Sequence, residues 1–239
     1  MLENKKVIIF DLDGTLIDSI GIWNAIDVEL IKKTCNKSVE DEDIGKQRDN
    51  VLKKYSKSDD TYLEYCGFLK EKYSSNMTKE EIKKIRYEIA QKYLKNVVDY
   101  KPGAEKVLKF LKDKGFKLVI ASTTNDFTIN VYKTENKNII NKANFEDYFT
   151  LIYSKGAVKE LKPNPEVHYK ILKELNVKKE ECLIIEDSLI GVEAANNAGI
   201  EVAVIYDKYS DGNREEINKY SSYQFRDFEE MLKKIKMEV

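Results

Sequence analysis

The residues best equipped for chemistry fall in four short stretches. The first, "VIIFDLDGTLIDS" (Val7–Ser19), runs four apolar residues into Asp11, Asp13, Gly14 and Thr15. Carboxylates bind hard cations and serve as nucleophiles or acid–base groups. Gly14 permits unusual backbone angles and leaves room for a ligand, and Thr15 offers a hydroxyl to backbone or phosphate oxygens. A plain Asp-Gly turn ends many strands. Five ordered residues, Asp-Leu-Asp-Gly-Thr, are more selective. The second stretch, "VIASTT", ends on Ser122 and Thr123. They either cap a helix starting near Asn125 or hydrogen-bond an anion at its N-terminus. In the third, "LKPNPE", Lys162 is either a surface lysine leading into a helix or a fixed positive charge. The fourth, "LIIEDS", ends on Glu186 and Asp187. Two adjacent acids closing an apolar strand are unusual. Taken alone, they fit a metal site and a plain strand end equally.

The elements that must position these residues alternate. Val7–Phe10, Lys117–Ser122, Cys182–Ile185 and Val202–Tyr206 read as buried strands, and Leu151–Tyr153 as a weaker one. Helical spacing covers Ala104–Lys114, Pro165–Leu175 and Ser188–Ala198, the last with Gly191, Ala194, Ala195 and Ala198 along a small face. Strand–helix alternation predicts an α/β fold with a parallel sheet between helices. In such sheets functional groups gather beyond the carboxyl ends of the strands. The alternation breaks from about Ile20 to Tyr100. There Trp23, Ile26 and Leu30, then Tyr62, Tyr65 and Leu69, then Ile82, Ile85, Ile89 and Tyr93 keep helical spacing with no strand between them. "KPG" at Lys101–Gly103 marks the return. The Asn- and Lys-rich segment Asn136–Asp147 reads as an extended connection, and Lys79–Lys84 as a solvated helix face.

Composition narrows the class further. The chain has 239 residues, enough for a full core, and its 41 basic residues nearly cancel 42 acidic ones. No basic excess points to nucleic acid, and no cationic amphipathic segment to a membrane. Cys35, Cys66 and Cys182 form no paired framework and read as reduced thiols. The apolar run before Asp11 is too short for a signal-peptide core. The expectation is a cytoplasmic, monomeric protein. The sequons at Asn36 and Asn76 read as chance matches.

Together the four stretches resemble the ordered motifs of the haloacid dehalogenase-like (HAD) superfamily, in its phosphatase and phosphomutase branch. The pattern reads "DLDGTLIDS", "VIASTT", "LKPNPEV" and "IIEDSLIGVEAANNAG", over essentially the whole chain. The resemblance implies a HAD-like Rossmannoid core at 1–17 and 100–239, with an inserted helical cap at 18–99. It implies Mg²⁺ held by Asp11 and Asp187, by the backbone carbonyl of Asp13, and through water by Glu186. Asp11 is then the nucleophile, forming an aspartyl-phosphate, and Asp13 the general acid and base. Ser122 and Lys162 stabilise the phosphoryl oxygens, with Gly14, Thr15 and Thr123 lining the phosphate. Asp13 itself argues for phosphate esters, since haloacid dehalogenases have no acid there and phosphonoacetaldehyde hydrolases carry Ala. The expected activity is hydrolysis of a small phosphorylated metabolite.

One alternative is a hexose phosphomutase resembling β-phosphoglucomutase. Such mutases carry a His early in the cap, whereas the only histidine here, His168, falls on a core helix as a surface or packing residue. Another is a catalytically dead HAD-fold binding protein, disfavoured because all four motifs are intact. Within the cap, Arg48 is the residue chosen to reach an anionic leaving group, against its reading as an ordinary surface arginine. Asp18, Ser19, Trp23, Gly45 and Lys46 are further positions where substrate choice could reside.

Overall fold

Val7–Phe10 (β1) is wholly apolar and wholly buried, as a central parallel strand must be. The structure is a computed structural model that describes residues 1–55 and 58–238; the side chains of residues 41–43 lie outside that description. In chain order β1 is followed by the helices α1 (Ile20–Cys35), α2 (Asp41–Lys54), α3 (Thr61–Tyr73), α4 (Lys79–Asn96) and α5 (Ala104–Asp113). Then come β2 (Lys117–Ala121), α6 (Asp126–Thr134), α7 (Lys137–Ala143), α8 (Phe145–Tyr148), β3 (Leu151–Tyr153), α9 (Glu166–Leu175) and β4 (Cys182–Glu186). The chain closes with α10 (Leu189–Ala198), β5 (Glu201–Ile205), α11 (Arg214–Tyr220), β6 (Tyr223–Phe225) and α12 (Phe228–Lys236).

The six strands form one parallel sheet in the order β3-β2-β1-β4-β5-β6. The order reverses at β1, which pairs with β2 on one side and β4 on the other. This switch point is where an open α/β sheet opens a crevice at its carboxyl edge. Register sets the depth of the crevice. Phe10 lies level with Ile120 and with Ile185, so the residues just beyond them come to one edge together. One core cluster joins Val7, Ile9, Val119 and Ile184 to Ile171 of α9 and to Val192 and Ala195 of α10. The small face of α10 is what lets it lie close to the sheet.

The chain divides into two compact units, Met1–Asp18 with Val98–Val239, and Ser19–Val97. The second holds α1 to α4 around its own core of Ile26, Leu30, Tyr65, Leu69, Ile82 and Ile89. Its helices show clear punctuation. Thr78 forms a capping box with Glu81 at the start of α4, Asp60 caps α3 through the Leu63 amide, and Asn36 and Ser74 end helices in the left-handed region. Within the first unit, the entry and exit of this insertion are pinned side by side. Ile17 bridges Tyr100, the Asp18 amide donates to the Asp99 carbonyl, and the Lys101 amide donates to the Leu16 carbonyl.

Two sequence expectations change. The segment Asn136–Asp147 is α7 and most of α8 rather than an extended connection. Asn136 accepts from the Ile139 amide and Asn144 from the Glu146 amide, so the asparagines that suggested a loop are helix N-caps. And β6, with the mixed sequence Tyr-Gln-Phe, extends the sheet past β5 as a short edge strand.

Candidate active site

Asp11 stands one residue past β1, with its amide donating to the Ile185 carbonyl. The ladder thus extends to Asp11 and delivers its carboxylate to the crevice floor. Glu186 closes β4, and Asp187 follows it. All three acids are buried. One carboxylate oxygen from each lies within 4.8 Å of the others. Lys162 reaches in before α9. Its Nζ is 2.8 Å from Asp11 Oδ1 and 2.6 Å from Glu186 Oε1. Its side chain is 4% exposed, so Lys162 is a buried ammonium and not a surface lysine.

The surroundings lock this cluster. Gly14 sits at φ +89°, and a Cβ there would meet Asp187 Oδ2 at 2.7 Å. Glycine is therefore required both for the turn and for the approach of the acid. Thr15 donates to Asp187 Oδ1 at 2.6 Å. Its hydroxyl thus helps to fix the acid that follows β4. At Gly191 a Cβ would lie 1.9 Å from the Glu186 carboxyl carbon, so the missing side chain makes the space Glu186 occupies. Glu186 Oε2 accepts from the Asp187 amide and the Ser188 hydroxyl at 3.2 and 3.1 Å. Ser188 in turn caps α10 through the Gly191 amide.

Electrostatically the cluster is short of positive charge. Three carboxylates face one ammonium. Burial pushes the Asp11 carboxyl well above its ordinary range, Glu186 adds to the rise, and Lys162 pulls only partly the other way. Burial and Glu186 push Asp187 up to about 7. Lys162 is held above its usual value: its own burial opposes this, and the charges of Asp11 and Glu186 prevail. Buried, clustered oxygen donors with unbalanced negative charge fit a divalent hard cation. Asp11, Glu186 and Asp187 are the side chains that could hold it.

The rest of the predicted set divides. Ser122 is buried one residue past β2, and its Oγ accepts from the Thr124 amide. Ser122 and Thr123 are not helix caps, since Asn125 caps α6 through the Thr128 amide. Thr123 is half-buried on the same loop. Asp13 is half-buried. Its Oδ2 accepts from the Thr124 hydroxyl and its Oδ1 from the Tyr132 hydroxyl, the latter at 3.3 Å. Arg48 lies in the helical unit, where its Nη1 donates to Asp27 Oδ2 at 3.0 Å. It is therefore part of a buried ion-pair group and not an ordinary surface arginine. His168 is fully buried in α9 as a packing residue, with its pKa lowered to about 3 by burial and then by Lys162.

Sequence reasoning passed over four polar groups around the site: Thr124, Tyr132, Lys101 and Asp207. Lys101 Nζ binds Asp207 Oδ2 at 2.6 Å. Thr124 was within reach, two residues after Ser122. Tyr132 lies 119 residues from Asp13, and nothing local marks it.

A parallel 3-2-1-4-5-6 sheet with acids beyond its two central strands and a lysine between them defines a Rossmann-like α/β protein with a cation-seeking centre at its switch point. A family model of haloacid dehalogenase-like hydrolases matches residues 8–205. The chain belongs to that family and is an enzyme of the hydrolase class. It is 34% identical over 203 residues to a phosphoglycolate phosphatase of Aquifex aeolicus, covering 83% of this chain and 84% of that one. It is also 34% identical over 122 residues to a phosphorylated carbohydrates phosphatase of Thermotoga maritima, a match spanning 51% of this chain and only 53% of the relative. Among solved structures, a Thermotoga maritima protein assigned provisionally as a β-phosphoglucomutase superposes with a TM-score of 0.78 at 25% identity, over 98% of this chain and 100% of the other. No described helix is long and apolar enough to cross a membrane.

Proposed function

We propose that this protein is a Mg²⁺-dependent phosphatase that hydrolyses a small phosphate monoester through an aspartyl-phosphate on Asp11. The observation that carries the reading is the buried group of Asp11, Glu186, Asp187 and Lys162, three carboxylates around one ammonium. Asp11 and Asp187 would hold Mg²⁺ by their carboxylates, with the Asp13 carbonyl, and Glu186 through water. When bound, the ion supplies positive charge that offsets the repulsion between Asp11 and a phosphate dianion.

The chain's own groups do the rest. An Asp11 oxygen attacks phosphorus, and the bond from phosphorus to the ester oxygen breaks. Asp13 gives its proton to the departing oxygen. Asp13 then takes a proton from water, which attacks the phosphoryl group and restores the Asp11 carboxylate. Lys162 holds Asp11 in place and, with Ser122, hydrogen-bonds the phosphoryl oxygens where charge gathers. Residues 18–99 act as the cap that chooses the substrate. The protein works as a cytoplasmic monomer on small phosphorylated metabolites. The relatives named for phosphoglycolate and phosphorylated carbohydrates make short monoesters of those kinds the first to screen.

The test is phosphate release from a panel of phosphorylated metabolites with Mg²⁺ and with EDTA. Release with Mg²⁺ and none with EDTA is expected. Asp11→Asn should lose on the order of 10⁴-fold or more in turnover while keeping its circular dichroism spectrum. An Asp11→Asn protein that still turns over removes Asp11 as nucleophile. The second reading, a hexose phosphomutase, is favoured by the structural likeness to the β-phosphoglucomutase assignment. It lacks the histidine that the resemblance asks of residues 18–99, since His168 is the only one in the chain. Phosphorus NMR separates the two: phosphate moved within a β-hexose phosphate, with none freed, would favour the mutase.

A further inference from the structure

Asp13 stands on the loop after β1, yet its carboxylate is gripped by the neighbouring β2–α6 segment. Thr124, in the loop after β2, donates to Oδ2, and Tyr132, on α6, donates to Oδ1 at 3.3 Å. Tyr132 is 1% exposed. A phenol so deeply buried needs a partner for its hydroxyl, and the partner here is Asp13. We infer that Thr124 and Tyr132 are positioning residues for the reaction, aiming the Asp13 carboxyl by holding its two oxygens separately. The inference rests on the reading of Asp13 as acid and base.

Three physical points support it. First, a half-buried aspartate on a turn has rotamers to choose from, and an acid aimed elsewhere transfers no proton. Two donors on two oxygens fix the carboxyl plane as well as its direction. Second, the grip is rigid at its base. Asn125 caps α6 through the Thr128 amide, the Lys155 amide donates to the Thr124 carbonyl, and Ile129, Val131 and Tyr132 of α6 are buried. Third, the donors are hydroxyls. A hydroxyl both donates and accepts, so it keeps its bond to a carboxyl with or without the proton. Lys162, an ammonium, serves Asp11, whose proposed role needs no proton. Asp13, which must carry and return one, is served by hydroxyls.

The experiment compares kcat/KM for two substrates that differ in their need for an acid. Glycerol 1-phosphate, or a better alkyl monoester from the metabolite panel, has a leaving group that must be protonated. p-Nitrophenyl phosphate does not need that proton. Because kcat/KM reports only the steps through phosphoryl transfer to the enzyme, the later role of Asp13 as base does not intrude. Tyr132→Phe and Thr124→Val should each lower the alkyl-to-aryl ratio of kcat/KM by about tenfold, a fraction of the full worth of acid catalysis. Thr124→Ser, which keeps the hydroxyl, should restore the ratio to within about twofold of wild type. A residue that merely supports the fold would lower both substrates together. A fall of less than about threefold in both Tyr132→Phe and Thr124→Val overturns the inference. Tyr132→Phe removes a single oxygen, so it decides alone if thermal melting shows that Thr124→Val is unfolded. Asp13→Asn separates this inference from the reading beneath it. If Asp13→Asn leaves the ratio unchanged, or wild type hydrolyses no alkyl ester, the acid role of Asp13 falls and the inference with it. If Asp13→Asn lowers the ratio and the other two variants do not, the inference alone is wrong.

Discussion

Two buried charge groups, one in each unit, are built on opposite principles. In the helical unit Asp27 of α1 is fully buried, with Arg48 Nη1 at 3.0 Å from one oxygen and Arg86 Nε at 2.8 Å from the other. Two guanidinium groups share this one buried acid, and the exposed Asp49 lies 3.5 Å from Arg48 Nε. The Arg86 guanidinium carbon lies 4.6, 5.6 and 6.0 Å from the ring centres of Tyr62, Trp23 and Tyr65. Burial works against the charge of Arg86, but Asp27 and the tyrosines outweigh it and raise its pKa. At the strand ends of the first unit the excess is negative, and among the described residues the only cation bonded to Asp11 and Glu186 is Lys162. No set of aromatic faces can offset surplus carboxylates. The helical group offsets its charge with residues of its own unit, although Arg86 Nη2 finds no hydrogen-bond partner among the described residues, whereas the strand-end group asks for charge from outside. Burying charge is therefore no mark of function by itself; leaving it unbalanced with hard oxygen donors is.

The contrast can be broken in three places. The largest effect on stability is expected from Asp27→Asn, which takes the carboxylate from the buried Arg86 and leaves Arg48 only the exposed Asp49. It should cost about 3–5 kcal/mol. Trp23 is the chain's single tryptophan and belongs to the helical unit, so urea unfolding followed by its fluorescence reads the loss directly. An unchanged midpoint would mean that the group is not a structural pair at all.

Asp187→Asn should move the other way. The raised pKa of Asp187, about 7 against an ordinary 3.8, means its ionised form is disfavoured in the metal-free fold. The stability tied to its protonated form is present below 3.8 and is lost as pH rises through about 7. At pH 8 in EDTA the asparagine variant should therefore be more stable than wild type by about 1–3 kcal/mol. It should also lose both the rise in melting temperature on adding Mg²⁺ and the activity. A variant that is less stable in EDTA would show the acids to be satisfied as they stand.

The smallest effect belongs to His168, whose two ring nitrogens are buried with no hydrogen-bond partner among the described residues. Its pKa, lowered to about 3, lies below that of a free histidine. As pH falls from about 6.5 towards 3, the unfolded chain takes a proton that the folded chain refuses, and stability drops. The difference in unfolding free energy between wild type and His168→Leu should shrink by about 1 kcal/mol per pH unit below 6.5 and stay level above 7. A difference constant from pH 4.5 to 7.5 would mean that the imidazole is not held neutral.

Much of this was legible in the sequence because the physics is local. β1, β2, β4 and β5 announce themselves as apolar, largely β-branched runs, and the polar residues that end β1 and β4 supply the buried acid cluster. Other features depend on partners far along the chain. β6 is three residues long with a glutamine at its centre, and it becomes a strand only because β5 offers an edge. α7 and α8 hid behind asparagines, which serve loops and helix caps alike. The grip on Asp13 joins residues from two βα segments, and neither shows any sign of it. The pairing of Arg48 with Asp27 went unread because the clue was elsewhere: Asp27 falls in register with the buried Leu30 and Ile31 of α1, a position where an acid has to find a cation.

The bridge between Ile17 and Tyr100, with the Asp18–Asp99 hydrogen bond, has a consequence in polymer terms. The first unit fixes both ends of Ser19–Val97 next to one another, so that stretch is a loop already tied at its neck. The entropy of closing such a loop grows only with the logarithm of its length. Lengthening, shortening or rebuilding the segment between the two crossings therefore changes the closure cost by little, and the path of the chain through the sheet not at all. The strands can keep one reaction while the loop they hold is exchanged for another, much as a lathe keeps its spindle when the chuck is changed.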